Sequence, residues 1–236
     1  MKSKTLITII LAFAIQLGFS QNTNTFFKSA DTFFNDHVKN GKVAYKTINS
    51  NQNQLNDLVK MIGEISVSSA NANTKQAFYI NAYNVLVIKG IIDHYPLKSP
   101  LDQSGFFDKI SYQVAGQALT LNDIENKKLR AQFGDARFHF VLVCGAIGCP
   151  PLISQAYLPN TLNAQLQKQT EIALNNPNFI KVKKNKVQLS EIFKWYKEDF
   201  IKKGDEINCI NAFRNEKLPT NAKLSYYPYN WSLNQQ

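Results

Sequence analysis

The stretch Ile110–Gly134, ISYQVAGQALTLNDIENKKLRAQFG, contains the pattern that decides the fold class. Two short segments flank Ala115-Gly116, which predicts a β-hairpin. Leu121–Phe133 then predicts a helix, because Thr120 and Asp123 resemble a capping arrangement and the final glycine ends it. A hairpin that leads directly into a helix does not fit the repeating strand–helix–strand units of a parallel sheet.

Helices and extended segments alternate in the same way on both sides of this stretch. Apolar residues at helical spacing predict helices near residues 26–38, 55–65, 74–95, 159–174 and 191–203. Extended segments are predicted at residues 42–48, 138–144 and 224–233, with a second hairpin at 179–189. Segment 138–144 is continuously apolar, which is typical of a strand buried on both faces. The sequence therefore predicts a single α+β domain, with antiparallel hairpins packed against several helices.

Residues 1–20 have the features of a secretory signal peptide. Lys2 and Lys4 precede the apolar run Leu6–Leu17, and small residues stand before Gln21. The run is shorter than the roughly 20 residues that a membrane-spanning helix needs. We expect residues 21–41 to form the N-terminal helical lead-in of the same domain that continues over residues 42–236. The predicted product is exported, soluble, without a transmembrane segment after cleavage, and periplasmic or extracellular.

The charge distribution argues against nucleic acid as a partner. The formal net charge is +10, but lysines are scattered along the chain, and the densest cluster, Lys181–Lys186, falls in the second predicted hairpin. Nucleic-acid binding requires a clustered basic surface, so we do not expect it. The chain also has no glycine-rich phosphate loop, and no cofactor is predicted.

The segment Arg137–Pro151, RFHFVLVCGAIGCPP, contains most of the reactive side chains and allows three interpretations. Cys144 and Cys149 could form a disulfide, as expected in an oxidising compartment. Cys149 could instead be a nucleophile with His139 as its base. A metal site formed by His139 and both cysteines would lack a fourth ligand, so none is predicted.

The predicted helix at 74–95 places two asparagines, Asn81 and Asn84, on or beside an apolar face. Buried amides must find hydrogen-bond partners. They could bind the backbone of a neighbouring loop, or they could line a polar pocket. Glu125, in the helix after the first hairpin, could likewise be a solvated residue or a residue of that pocket.

Five ordered segments carry a resemblance to a known family: QAFYINAYNVLVIKGIIDHYP, LTLNDIENKKLR, RFHFVLVCGAIGCPPL, VQLSEIFKWYKEDF and YPYNWSLN. From about Lys42 to Asn234 the chain resembles the domain of unknown function 547, as a bacterial, exported member. The resemblance implies an α+β domain without an agreed activity. The family's recurrent polar and aromatic positions correspond to Asn81, Asn84, Glu125, Arg130, His139, Trp195, Asp199 and Trp231. Asn126, Tyr79 and Ala44 depart from the family's usual histidine, tryptophan and aspartate.

These observations together predict a polar cleft. We expect Asn81, Asn84, Glu125, Arg130 and His139 to form it and to bind a small molecule or a protein of the cell envelope. The alternative is a cysteine-dependent hydrolase of papain- or transglutaminase-like type, in which the weak catalytic candidates are Cys149, His139 and Glu125. The sequence does not decide whether the protein is an enzyme.

Overall fold

The computed structural model describes residues 23–202 and 204–236, so the predicted signal peptide lies outside the described residues. The helices are α1 (23–37), α2 (Tyr45–Ser50), α3 (Asn53–Glu64), α4 (Ala72–Asp93), α5 (Leu121–Asp123), α6 (Ala131–Phe133), α7 (Leu162–Asn175), α8 (Glu191–Trp195), α9 (Lys197–Phe200) and α10 (Glu206–Asn211). The π-helical turn Ile124–Arg130 joins α5 to α6, and 3-10 helices cover Pro100–Asp102 and Ala136–Phe140. The strands are β1 (Val38–Lys39), β2 (Lys42–Val43), β3 (Ser111–Val114), β4 (Gln117–Thr120), β5 (Ile180–Lys183), β6 (Lys186–Ser190) and β7 (Lys223–Tyr227). Small sheets packed with helices confirm the predicted α+β domain.

Helix α4 is the centre of the larger hydrophobic cluster. It is buried on nearly all sides between Ala77 and Ile92, as expected for a helix whose apolar residues are not confined to one stripe. Helices α1 to α3 and the β3–β4 hairpin contribute to the same cluster. A second cluster forms around β5, β6 and helices α8 to α10. Residues 138–149 run between the two clusters, with Phe138 in the first and Phe140 in the second.

The hairpin and cap that decide the fold class are confirmed. β3 and β4 pair antiparallel, and Ala115 and Gly116 adopt φ values of 51° and 75° at the turn. The Thr120 hydroxyl accepts a hydrogen bond from the Asp123 backbone amide at 3.1 Å. The Asp123 carboxylate in turn accepts one from the Thr120 backbone amide at 3.0 Å. This reciprocal pair satisfies two backbone donors that the first turn of the helix would otherwise leave unpaired.

The strand predicted at residues 138–144 is wrong. Residues Ala136–Phe140 form a 3-10 helix instead. Asp135 caps it, because its side chain accepts a hydrogen bond from the Arg137 backbone amide at 2.9 Å. The following backbone is irregular, and its polar groups at Val141 and Val143 bond to the side chain of Asn84 instead of a neighbouring strand. Continuous apolar character shows burial but does not distinguish a strand from other buried backbone.

The structure also differs from the sequence prediction in where some elements end and in how one strand pairs. Only Lys42–Val43 of the predicted 42–48 strand is extended, and α2 begins at Tyr45. The helix predicted from residue 191 is divided into α8 and α9. β7 pairs with β6 in parallel, so the sheet that it joins is not entirely antiparallel. Across the described residues, no helix has both the length and the apolarity needed to cross a bilayer.

Candidate functional site

A cavity of about 370 Å³ lies where the two hydrophobic clusters meet. It contains two of the predicted cleft residues, both cysteines of the pair, and six aromatic side chains. The residues that line it are Tyr83, Phe107, Asp108, Asn122, Glu125, His139, Leu142, Cys144, Cys149, Ile192, Trp195, Tyr196, Tyr229 and Trp231.

His139 is fixed at the base of the cavity by contacts on several sides. Its side chain is 1% exposed, and its ring stacks on Tyr196 with centroids 4.0 Å apart. Nε2 lies 2.9 Å from Oδ2 of Asp199, and Nδ1 lies 3.8 Å from Oε1 of Glu125. The imidazole therefore lies between two carboxylates, with a hydrogen bond to only one of them.

Asp199, from α9, is the carboxylate that orients His139. It also accepts from Arg130 Nε at 2.6 Å and interacts with Lys202 Nζ at 2.8 Å. The hydrogen bond with His139, followed by those with Arg130 and Lys202, holds the Asp199 pKa well below its usual range. An ionised carboxylate only accepts hydrogen bonds, so Nε2 of His139 must donate. In the neutral ring, Nδ1 is then the nitrogen with a free lone pair.

Of the two carboxylates beside His139, Glu125 is the one that lines the cavity. It lies on the π-helical turn with Arg130, a rare local geometry that is frequent at functional sites. The Tyr196 phenol interacts electrostatically with the Glu125 carboxylate. Burial, with the Glu125 charge as a further cause, raises the pKa values of Tyr83, Tyr196 and Tyr229 above the usual tyrosine range. These phenols therefore keep their protons at neutral pH and remain potential donors around the carboxylate.

Trp195, Tyr229 and Trp231 form an aromatic wall on another side of the cavity. Tyr229 lies 5.0 Å from Trp195 and 4.7 Å from Trp231, measured between ring centroids. The two indoles lie 5.8 Å apart at an interplanar angle of 27°. Trp195 is 44% exposed, an unusual solvent exposure for so large an apolar ring. The wall therefore offers accessible aromatic surface next to buried polar groups.

Cys144 and Cys149 line a third part of the cavity. The sulfur atoms of Cys144 and Cys149 lie at disulfide distance, as the first of the three interpretations predicts. The Tyr229 hydroxyl lies 2.9 Å from the Cys144 sulfur and 2.7 Å from the Cys149 sulfur. A bonded pair has no thiolate to act as a nucleophile.

The two asparagines of the predicted cleft do not line the cavity. The Asn81 side chain donates to Tyr157 O at 2.8 Å and accepts from Tyr157 N at 2.9 Å. Asn84 bonds in the same way to Val141 O and Val143 N, at 3.0 and 2.9 Å. A side-chain amide matches one backbone carbonyl and one backbone amide, so both residues hold irregular backbone in place.

Arg130 also lies outside the cavity lining, behind His139 and Tyr196. It binds Asp199, and its guanidinium lies 4.8 Å from the centroid of the Tyr196 ring. Asn126, which replaces the usual histidine of the resembled family, accepts a hydrogen bond from Arg130. The structure therefore brings Glu125 and His139 together in the cavity, with Arg130 as a supporting residue.

Sequence reasoning did not assign Tyr83, Tyr196, Tyr229 or Asp199 to the cleft. Tyr196 and Asp199 lie three positions apart in WYKEDF, a spacing that brings side chains together on a helix, but nothing local showed that they meet His139. Within residues 23–202 and 204–236, no group of three His, Cys, Asp or Glu side chains is arranged to hold a metal ion.

Fold and site together define an α+β domain with a largely buried histidine–carboxylate pair facing an aromatic-walled cavity. Residues 67–172 match the model of the family described as "Protein of unknown function, DUF547", which supports the predicted resemblance. The matched segment contains Glu125, Arg130, His139 and both cysteines of the pair. Trp195, Asp199 and Trp231 follow it in the chain. No curated protein and no solved structure matches the chain.

Proposed function

We propose that this protein is an exported domain of the cell envelope that binds a small molecule in the cavity between Glu125 and the aromatic wall. The observation that carries the proposal is the meeting of Glu125 and His139, both largely buried, in one cavity. Ligand sites are typically concave and mostly apolar, with a few convergent polar groups. The cavity has this composition, and its volume of about 370 Å³ is adequate for a small organic molecule.

Neighbouring side chains hold the polar groups of the cavity in position before a ligand binds. Asp199, itself bound by Arg130, holds the ring of His139, and Tyr196 stacks on the same ring. Groups held in this way need little reordering when a ligand binds, which lowers the entropic cost of binding. Export and an envelope location follow from the predicted leader at residues 1–20, and expression of the full chain followed by cell fractionation tests them.

The sequence provides a direct probe of the cavity. The chain has two tryptophans, Trp195 and Trp231, and both line the cavity. We therefore propose to screen a library of small organic compounds by intrinsic tryptophan fluorescence and to confirm hits by thermal shift, since a ligand of the native state raises Tm. Hits should lose affinity in Glu125→Ala or His139→Ala and keep it in His37→Ala, a histidine outside the cavity. The proposal fails if hits bind all three variants alike, or if no compound binds.

A second candidate, the cysteine-dependent hydrolase, is favoured by one specific observation. His139 is oriented by Asp199, and Cys149 lines the same cavity, which matches the pairing of a base and its orienting group in thiol hydrolases. This function requires the disulfide to be reduced. If Cys149 is alkylated rapidly near neutral pH after mild reduction, and Asp199→Asn slows the reaction, the hydrolase is supported. Slow alkylation unaffected by that substitution argues against it.

A further inference from the structure

We infer that the cavity selects an organic cation, a molecule that presents a substituted ammonium group to Glu125 and the aromatic wall. This inference rests on the proposed function, since it names the chemical class of the small molecule.

The two carboxylates beside His139 differ in how their charges are compensated. Asp199 is compensated by Arg130 and Lys202 in addition to the histidine. Glu125 is 5% exposed, and among the described residues its ion-pair contact is the His139 ring, whose Nδ1 lies 3.8 Å from Oε1, beyond hydrogen-bond length. A buried carboxylate without a cation is costly. A cationic ligand would supply to Glu125 the compensation that Asp199 already receives.

The charged side chains on the cavity lining are carboxylates rather than lysines or arginines. The chain contains 27 lysines and arginines, yet none of the described residues that line the cavity is either type. Its lining instead includes the carboxylates of Glu125 and Asp108, the latter exposed. An anionic ligand would therefore meet like charges and no lysine or arginine on the lining.

The aromatic wall provides ring faces on which a cation can bind. Cations bind over the faces of aromatic rings, best over tryptophan, and cages of such rings recognise substituted ammonium groups. Trp195, Tyr229 and Trp231 lie within 5.8 Å of one another by ring centroid, and Phe107 lies 6.1 Å from Trp231. A neutral sugar could stack on the same rings, but it would leave the Glu125 charge uncompensated.

The test compares two probes of the same shape. Choline and its uncharged analogue, in which a tert-butyl group replaces the trimethylammonium group, are titrated against tryptophan fluorescence, with maltose as a third probe. We expect choline to bind at least about tenfold more tightly than the uncharged analogue, as expected when desolvated rings and a carboxylate face the cation. Glu125→Gln should weaken choline binding and leave the analogue unchanged. Glu64→Gln, which changes an exposed glutamate at the end of α3, should alter neither affinity.

Any other outcome overturns the inference of cation selection. The outcomes also show whether the proposed function fails with it. Equal affinity for choline and its analogue, or tighter binding of maltose, shows a ligand cavity that does not select cations. Failure of all three probes, while other compounds of the screen bind, refutes cation selection and leaves the proposed function intact. If no compound of any class binds, the proposed function fails as well.

Discussion

Replacing Asp199 with asparagine should destabilise the protein by about 3 kcal/mol, because the carboxylate is the shared acceptor for three cationic or imidazole groups. Its partners are His139 at 2.9 Å, Arg130 at 2.6 Å and Lys202 at 2.8 Å. The Lys202 side chain is 48% exposed, so that pair contributes at most about 1 kcal/mol. The bonds of Asp199 to His139 and Arg130 are less exposed and charge-assisted, and each contributes roughly 1.5–3 kcal/mol. Asparagine keeps one acceptor, which limits the total loss.

This loss of stability should depend on pH. The pKa of Asp199 is lowered in the folded state, so its contribution is complete above the unfolded-state value of about 4 and decreases as the pH falls below it. The part of the difference between wild type and Asp199→Asn that comes from the Asp199 charge should therefore shrink as the pH falls below about 4.

Urea denaturation followed by far-ultraviolet circular dichroism measures this free energy of unfolding, with Asp93→Asn as the matched control. Asp93 pairs with Lys89 near the surface, so the control should lose less than about 1 kcal/mol. The ¹⁵N chemical shifts of His139 should show a proton on Nε2 in the wild type. A loss for Asp199→Asn no larger than the control, with unchanged His139 shifts, would refute the reasoning.

The remaining predictions use the same unfolding assay. Asn84→Leu should cost about 2–4 kcal/mol, because the buried Val141 carbonyl and Val143 amide lose their partners; a loss below that of an exposed asparagine variant contradicts this. Thr120→Ala should cost about 1 kcal/mol by removing the helix cap, and an unchanged midpoint would show that the cap is not stabilising. Cys149→Ser should cost about 2 kcal/mol in oxidising buffer, and the difference from the wild type should disappear under strong reductant if the disulfide is its cause.

Local chemistry explains which elements could be predicted from the sequence. The β3–β4 hairpin depends on the Ala115-Gly116 turn, and the following helix depends on Thr120 and Asp123, all within a few positions. The irregular backbone after Phe140 could not be predicted in this way. Its hydrogen-bond partner, Asn84, lies 57 and 59 positions from the two residues that it holds.

The same distinction applies to the site. Glu125 and His139 were predicted to meet, and both line the cavity. Asp199 is 60 positions from His139, and Tyr229 is 80 positions from Cys149, so only the packing of the second hydrophobic cluster brings them together. The sequence predicts Asn81 and Asn84 as cleft residues together with Glu125. Their role in binding backbone depends on which loop packs against α4.

The central claim is that the cavity between Glu125 and Trp231 is a ligand site. A crystal structure of the wild-type protein soaked with compounds that bind in the fluorescence screen tests this most directly. We expect electron density for the compound within about 4 Å of the Glu125 carboxylate and of an indole ring of the wall. Density for the same compounds only at other surfaces, with the cavity holding water alone, would contradict it.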